Sequence, residues 1–123
     1  MLYEIIFYSD RNGREPVADY MQELGARKTK DCRIKHNKIS QYIKVLSEVG
    51  TMAGMPYMRH LEGEIWELRP IRDRILFAGF VDGAFVLLHP FMKQSQKTPP
   101  EEIAQAKREL EDFKARYDGN KEE

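Results

Sequence analysis

Three apolar runs follow one another between Glu64 and Thr98, with short polar breaks between them. The runs are rich in β-branched and aromatic residues, which is typical of strands. The Asp82–Gly83 pair before the third run matches a tight hairpin turn, in which both residues can need positive φ. The pattern predicts three successive antiparallel strands, over Ile65–Arg69, Arg74–Phe80 and Phe85–Phe91.

The residues before this stretch predict one more strand and two helices. Leu2–Tyr8 is apolar and aromatic, and this composition favours a strand. Pro16 suits the first position of a helix, and Gly25 is expected to end that helix. Apolar residues at steps of three and four predict a second helix over Thr29–Val49, ended by Gly50. Because only a few residues separate them, the two helices should form a hairpin.

The remaining segments predict a loop, a short strand and a last helix. Thr51–Met58 is expected to be a loop whose methionines pack inside, and it leads to a short strand near Tyr57–Leu61. Thr98 and Glu101 have the spacing of a capping box. A helix of about five turns is then expected to end at 118–120. Its apolar positions recur at steps of three and four, at Ile103, Ala106, Leu110, Phe113 and Tyr117.

Together these elements predict one α+β domain over residues 1–123, with residues 118–123 as a frayed tail. A small antiparallel sheet of four to five strands is expected to pack against an N-terminal helical hairpin and a C-terminal helix. One face of the sheet is expected to carry cationic groups, while the helices cover the other face.

The charge distribution indicates a surface that can bind a polyanion. The formal net charge is zero, but residues 26–44 carry seven Lys or Arg against one acid. Residues 1–25 and 101–123 each have a net charge of −3. A local positive potential steers polyanions towards a protein. A solvated lysine-rich helix face is the equally weighted alternative for 26–44.

Cysteine usage and hydropathy indicate a cytoplasmic protein. Cys32 is the only cysteine, which excludes an internal disulfide and a cysteine-based zinc site and suits a reducing compartment. No run approaches the roughly 18 apolar residues of a membrane span. The N terminus has no basic region before its apolar run, so no signal peptide and no membrane partner are expected.

Familiar catalytic motifs are missing from the sequence. It contains no Gly-rich phosphate loop, no HExxH and no GxSxG. His36, His60 and His89 fall on three different predicted elements, and His36 is expected to pack on the apolar stripe of the second helix. No metal ion and no cofactor are expected.

Basic side chains gather instead at the ends of the predicted strands. Side chains two residues apart on a strand share a face, which places Glu67 with Arg69. The same alternation places Phe85, Leu87, His89, Phe91 and Lys93 on one face. Arg74 can face Arg69 across the intervening turn. Together these side chains can bind phosphate, and an arginine can do so with two parallel hydrogen bonds. The group consists of Arg69, Arg74, His89, Lys93 and Lys97. The alternative is that these charges are held by Glu64, Glu67, Asp73 and Asp82.

The strings LEGEIWELRP, RILFAGF and LLHPFMKQSQKTPPEEIAQAKREL resemble the HigB-like branch of the RelE/ParE toxin family, small phage-related toxins of type II toxin–antitoxin systems. The resemblance covers about residues 3–117 and is strongest over Leu61–Leu110. It implies a RelE-like fold and cleavage of mRNA, typically on the translating ribosome. It also implies a cognate helix-turn-helix antitoxin of the HigA type, with operator DNA bound only through the toxin–antitoxin complex.

The resemblance also implies roles for individual residues. Arg69 matches the family's arginine in the LR pair, and Arg74 matches the arginine that opens the next strand. His89 stands near the place where some HigB-type toxins have a catalytic histidine. These three are the predicted catalytic residues, and the predicted RNA-binding residues are Arg59, Lys93 and Lys97.

The sequence departs from the RelE pattern in two places. Ile65 and Glu67 stand where RelE-type toxins have lysines, and Tyr117 lies on the apolar face of the last helix rather than in the position of a catalytic tyrosine. Two other functions therefore remain as alternatives. One is inhibition of DNA gyrase, as in the ParE branch, and the other is an inactive relative that acts only as a binding module.

Overall fold

A computed structural model of the chain describes residues 3–80 and 83–121, with side chains as far as Tyr117. It contains five strands, three α-helices and a short 3-10 helix over Gly50–Ala53. In chain order, the elements are β1 (Glu4–Phe7), α1 (Pro16–Ala26), α2 (Lys30–Val49), β2 (Met58–Glu62), β3 (Ile65–Leu68), β4 (Asp73–Phe80), β5 (Ala84–Met92) and α3 (Pro100–Lys121). None of the helices in the described ranges is long and apolar enough to cross a membrane.

The strands form one sheet in the order β1-β5-β4-β3-β2. Strands β2 to β5 pair antiparallel with their neighbours in sequence, as the short connections between them require. Strand β1 pairs parallel with β5, which is possible because α1, α2 and β2 to β4 lie between them in sequence and no tight hairpin joins them. The predicted α+β class is confirmed, with one parallel pair in a mostly antiparallel sheet.

Helices cover both faces of the sheet. On one face, α1 and α2 bury Val17, Leu24, Ile39 and Leu46 against Leu68 and Phe77, among others. On the other face, α3 buries Ala106 and Leu110 against Ile65, Leu76 and Val86. The expectation that all the helices cover a single face was therefore wrong. Burial of apolar area on two faces gives the sheet two cores instead of one.

A β-bulge changes the face of the sheet to which the side chains of β5 point. Leu76 pairs with His89, but Phe77 pairs with Leu87, so Leu88 is the extra residue between them. Phe85 and Leu87 pack under α1 and α2, whereas Leu88 and Phe91 pack under α3. The predicted continuous face from Phe85 to Lys93 was wrong for this reason. Pro90 is tolerated beyond the bulge because β1 pairs with β5 only as far as Leu87.

Several predicted segment ends also differ from the structure. Helix α1 passes through Gly25 to Ala26, and the added Cβ of an alanine at Gly25 would lie 3.7 Å from the His36 ring. Thr98 forms no capping box, because α3 begins at Pro100 and the carbonyl of the preceding Pro99 accepts the N–H groups of Glu102 and Ile103. The Thr98 hydroxyl donates to Glu67 instead. Helix α3 continues through 118–120 to Lys121.

Two further expectations concern loops. In the methionine-rich loop, Met58 is buried, but Met52 is 88% exposed and Met55 is 61% exposed, so packing was the wrong expectation for those two. Of the predicted hairpin turn, Val81 and Asp82 lie outside the described residues, whereas Gly83 has a φ of +74°. The end of the predicted frayed tail, 122–123, also lies outside them.

Hydrogen bonds and ion pairs attach α3 to the residues that follow β1. The Tyr8 hydroxyl donates to Oδ2 of Asp112 at 2.7 Å, and Arg116 donates to the same carboxylate and to the Ser9 carbonyl. These hydrogen bonds, from Arg116 first and from Tyr8, lower the pKa of Asp112 to about 2. Burial and the neighbouring Asp112 raise the pKa of Tyr8 to about 12. The position of α3 over the sheet is therefore held by charge as well as by apolar packing.

Gly50 ends α2, as predicted, and permits a close contact with Tyr3. Its φ is +71°, its N–H donates to the Leu46 carbonyl, and an added Cβ would lie 3.0 Å from Cε2 of Tyr3. We expect Gly50→Ala to lower the free energy of unfolding by about 2 kcal/mol, measured by urea denaturation. Gly54→Ala is the matched control, because Gly54 has a φ of +60° and nothing lies within 4 Å of its added Cβ. Equal losses in both variants would contradict the contact with Tyr3.

Candidate functional site

Strand register and alternation bring four charged residues to the face of the sheet that α3 covers. Arg59 on β2 lies opposite Glu67 on β3, and Glu67 lies opposite Leu76 on β4. Arg69 follows Glu67 by two residues, and Arg74 precedes Leu76 by two residues, so both share that face. Because Leu76 belongs to the core under α3, the three arginines and Glu67 gather on the same side of the sheet.

The Glu67 carboxylate lies at the centre of this group. Its Oε2 accepts hydrogen bonds from Arg69 Nη1 at 2.8 Å and from Arg59 Nε at 3.1 Å, and it lies 3.9 Å from Nε of Arg74. Its Oε1 accepts a hydrogen bond from the Thr98 hydroxyl. Glu67 is only 1% exposed. One buried carboxylate is thus shared by three guanidinium groups and one hydroxyl.

The segment between β5 and α3 closes over this group. The Gln96 carbonyl accepts a hydrogen bond from Arg59 Nη2 at 3.5 Å, and Thr98 is bound to Glu67. Residues 93–98, including Lys93 and Lys97, enclose with the sheet a space of about 10 Å³. Such a space holds about one water molecule and is too small for a phosphate group, whereas the side chains of Arg59 and Arg69 are partly exposed.

A strained turn lies next to Arg74. Ile71 has a φ of +59°, which is costly for a β-branched residue. The Ile71 carbonyl accepts a hydrogen bond from Arg74 Nη1 at 2.9 Å, and the Asp73 carbonyl accepts one from the same nitrogen. Burial, together with the positive charge of Arg69, lowers the pKa of Arg74. The chain therefore holds a buried, crowded cation at the start of β4.

His89 lies under α3, between two carboxylates. Its Nδ1 is 2.7 Å from Oε1 of Glu109, and its Nε2 is 2.8 Å from Oε1 of Glu102. Burial disfavours the charged ring, but the hydrogen bonds and charges of Glu109 and Glu102 outweigh burial and raise the pKa of His89. Among the described residues no hydrogen bond or ion pair joins His89 to the arginines. His89 shares the α3 side of the sheet with the arginines, since it lies opposite Leu76, two residues from Arg74, but its hydrogen-bond partners are the carboxylates of α3.

Asp73 lies beside Arg74 in sequence but on the opposite face of the sheet. Its Oδ1 accepts a hydrogen bond from the Tyr20 hydroxyl at 2.7 Å and lies 3.7 Å from Nζ of Lys35. The Lys35 ammonium also lies 5.6 Å from the centre of the Tyr20 ring. These contacts attach α1 and α2 to the start of β4, so the same strand end that carries Arg74 is fixed from both sides.

The structure brings together five of the six predicted site residues. Arg59, Arg69 and Arg74 surround Glu67, and Lys93 and Lys97 line the closed space above it. Glu67 therefore holds strand-end charges, as the alternative interpretation of the sequence expected. Glu64 instead pairs with Lys114, Asp73 with Lys35, and Asp82 lies outside the described residues.

Of the residues of the site, Thr98 was missed from the sequence and Glu67 was recognised only in part. Glu67 was recognised as the neighbour of Arg69, but not as a shared partner of three arginines, and Thr98 was assigned to a helix cap. The alternation in IWELR signals the first contact, since it puts Glu67 and Arg69 on one face. Nothing local signals the contact of Thr98, because 31 residues separate it from Glu67.

Comparison with known proteins identifies the family. A family model described as "Phage derived protein Gp49-like (DUF891)" matches residues 19–111, about three quarters of the chain. The chain belongs to this family. The match includes all of the strands that carry the arginines and the first half of α3. A comparison with curated proteins gives no significant match.

A solved structure confirms the fold. The crystal structure of an archaeal RelE–RelB complex from Pyrococcus horikoshii OT3 contains a similar chain, with a TM-score of 0.53 and 13% sequence identity. The similarity covers 76% of this chain and 98% of that chain. The predicted RelE-like fold is thereby confirmed, while the family itself is shown by the phage-derived Gp49-like match.

Proposed function

We propose that this protein is the toxin of a type II toxin–antitoxin pair and cleaves mRNA on the translating ribosome. Arg69 and Arg74 hold the scissile phosphate, and Arg59, Lys93 and Lys97 bind neighbouring phosphates. The observation that supports this function most is the convergence of three guanidinium groups on one carboxylate beneath the closed segment 93–98. Guanidinium groups with fixed positions suit phosphate, because they donate two parallel hydrogen bonds.

The reaction uses a nucleophile that RNA itself supplies. The 2′-oxygen attacks the adjacent phosphorus, a P–O2′ bond forms and the P–O5′ bond breaks. The 2′-OH proton leaves to a base, and the departing O5′ takes up a proton, so the products carry a 2′,3′-cyclic phosphate and a 5′-OH. Negative charge grows on the phosphate in between, and donors aimed at that charge lower the barrier. Arg69 suits this task, because its hydrogen bond among the described residues uses only Nη1.

His89 is the predicted proton-transfer group, and its position sets a condition for that role. Both ring nitrogens are bound by α3 carboxylates, so His89 reaches RNA only after Glu102 and Glu109 release it. Glu109 and Glu102 raise the pKa of His89, so they favour the protonated ring until they release it, and a protonated histidine suits protonation of the leaving O5′. The proposed acid step therefore includes the release of His89 by the side chains of Glu102 and Glu109.

The proposed partner is a cognate antitoxin with a helix-turn-helix domain of the HigA type. The similar archaeal structure is a complex of RelE with RelB. On this chain, two basic surfaces suit an acidic partner segment: the arginine side of the sheet, and the exposed face of α2 with Lys30, Arg33, Lys38 and Lys44. Operator DNA would be bound through the toxin–antitoxin complex.

Induced expression in bacterial cells tests the function. We expect growth and translation to stop, and primer extension to map new mRNA 5′ ends at positions linked to the reading frame. Co-expression of the antitoxin should restore growth. DNA damage without mRNA cuts would favour the ParE-like gyrase inhibitor. Normal growth and intact mRNA from a folded protein would favour the inactive binding module, and either outcome would contradict the ribonuclease.

A further inference from the structure

Glu67 places a negative charge in a site that is proposed to bind negatively charged phosphate, and its position requires an explanation. The carboxylate is 1% exposed and accepts hydrogen bonds from Arg59, Arg69 and Thr98. A buried carboxylate is costly unless it is paired and fully hydrogen-bonded, and Glu67 meets both conditions. Its donors come from β2, from the residue after β3 and from the segment before α3, so it connects three parts of the chain.

The charges of the group leave it positive. Three guanidinium groups face one carboxylate within 4 Å, which leaves a net charge of +2 before Lys93 and Lys97 are counted. Without the carboxylate, three like charges would repel one another, and the buried Arg74 would lose its nearest opposite charge on this face. With the carboxylate, the arginines stay together and still attract a phosphate.

The donors that Glu67 leaves unused are available to a substrate. An arginine has five N–H donors, and Arg69 uses one nitrogen for Glu67. Arg74 faces Glu67 through Nε, at 3.9 Å, and fixes its Nη1 on the Ile71 and Asp73 carbonyls. The carboxylate thus fixes one nitrogen of Arg59 and one of Arg69 and attracts Arg74, which the two carbonyls orient, and it leaves further donors of the guanidinium groups unused.

We propose that Glu67 is the positioning residue of this site: its buried carboxylate holds Arg59, Arg69 and Arg74 in the arrangement that receives the scissile phosphate. This inference rests on the proposed ribonuclease function. Glu67 touches the arginines and not the reacting atoms, so it acts on the rate of cleavage through them. The opposite role would be that of an internal competitor, which occupies the arginines and keeps RNA out.

The two roles predict opposite effects of Glu67→Gln. If Glu67 positions the arginines, the amide holds them less well, and the cleavage rate falls about 10- to 100-fold. Affinity for RNA stays the same or rises, because a negative charge is lost from the site. The loss then appears in kcat and not in KM. If Glu67 is a competitor, the cleavage rate of the variant stays equal or rises, and that result would overturn the proposal.

Thr98→Val provides a second variant in case Glu67→Gln does not fold. Valine has nearly the shape of threonine but cannot donate to Oε1 of Glu67, so the carboxylate keeps its charge and loses one anchor. We expect a smaller loss of cleavage rate, about 3- to 10-fold, with unchanged RNA affinity.

Glu64→Gln is the matched control for Glu67→Gln, because it removes an equal charge from an exposed residue that pairs with Lys114. Its rate should equal that of the wild type.

Binding is measured with a 2′-O-methylated RNA oligonucleotide, which has no nucleophile and is not cleaved. Positioning itself is measured by NMR, through the Nε–H signals of Arg59 and Arg74, whose Nε atoms lie 3.1 Å and 3.9 Å from Glu67. In Glu67→Gln and in Thr98→Val, these signals should shift towards those of free arginine and exchange faster with water. Signals that keep their wild-type shifts and exchange rates in both variants would overturn the proposal.

The cleavage assay and the NMR signals together distinguish a failure of the proposed ribonuclease function from a failure of the proposed positioning role. A wild-type protein that cleaves no RNA contradicts the ribonuclease, and the NMR signals then decide on Glu67 alone. A wild-type protein that cleaves RNA, together with a folded Glu67→Gln variant of equal rate, contradicts only the positioning role. Loss of rate in Glu67→Gln together with altered arginine signals and undiminished RNA affinity is the expected result.

Discussion

Arg74→Ala is expected to lower the rate of mRNA cleavage about 100- to 1,000-fold, since removal of one donor at the developing charge has effects of this size elsewhere. Arg74 is 5% exposed, lies 3.9 Å from Glu67 and is fixed on two backbone carbonyls, so its guanidinium is held in one place. Arg74→Lys should retain part of the rate, because an ammonium keeps the charge but not the paired donors. The rate is measured with purified protein on mRNA in a reconstituted translation reaction.

Arg108→Ala is the matched control for Arg74→Ala. Arg108 is an exposed arginine on α3, so its removal changes the net charge equally without touching the site. The circular dichroism spectrum and the urea midpoint of each variant show whether it is folded under the assay conditions. A folded Arg74→Ala variant with the rate of Arg108→Ala would contradict the role of Arg74.

His89→Ala is expected to lower the free energy of unfolding by about 3 kcal/mol at pH 6, because it leaves Glu102 and Glu109 facing a buried gap. His89 is 4% exposed, and both carboxylates come from α3, so the loss falls on the contact between α3 and β5. His60→Ala is the control, since His60 is exposed and its contacts among the described residues are a hydrogen bond with the Gly63 carbonyl and an edge contact with the Trp66 ring. It should cost less than about 1 kcal/mol.

The stabilising effect of His89 should decrease as the pH rises. Because the pKa of His89 is raised in the folded state, its contribution to stability is fully present below about pH 6.5, the ordinary value for histidine. The contribution is lost as the pH rises through the raised pKa of the folded state. Urea denaturation from pH 5.5 to 9 should therefore show the difference between wild type and His89→Ala shrinking with pH. A difference that is constant or grows with pH would contradict a charged His89 under α3.

Local patterns in the sequence predicted most of the fold. The 3.6-residue periodicity located α1 and α2, because each buries one stripe of apolar residues. The short polar breaks located β3, β4 and β5, because antiparallel neighbours need only short connections. The pairing of β1 with β5 could not be predicted, since the whole of the chain between them separates the partners.

The site was only partly predictable for a similar reason. Alternation along single strands correctly joined Glu67 to Arg69. It failed beyond Leu87, where a bulge adds one residue to β5 and exchanges the two faces. Pro90 was the available signal, since proline within a strand often marks an edge or a bulge. The contacts of His89 with α3 depend on how the helix docks, and the spacing of the sequence contains no information about that.

We propose that this chain cuts mRNA on the ribosome with its arginine cluster. The most direct test incubates the purified protein with one 5′-labelled mRNA, either free or bound in a programmed ribosome, and maps the products at nucleotide resolution. We predict cleavage of the ribosome-bound mRNA at codon-linked positions, with 2′,3′-cyclic phosphate ends, and strong loss of that cleavage with Arg74→Ala. Intact ribosome-bound mRNA in the presence of the folded wild-type protein would contradict the claim.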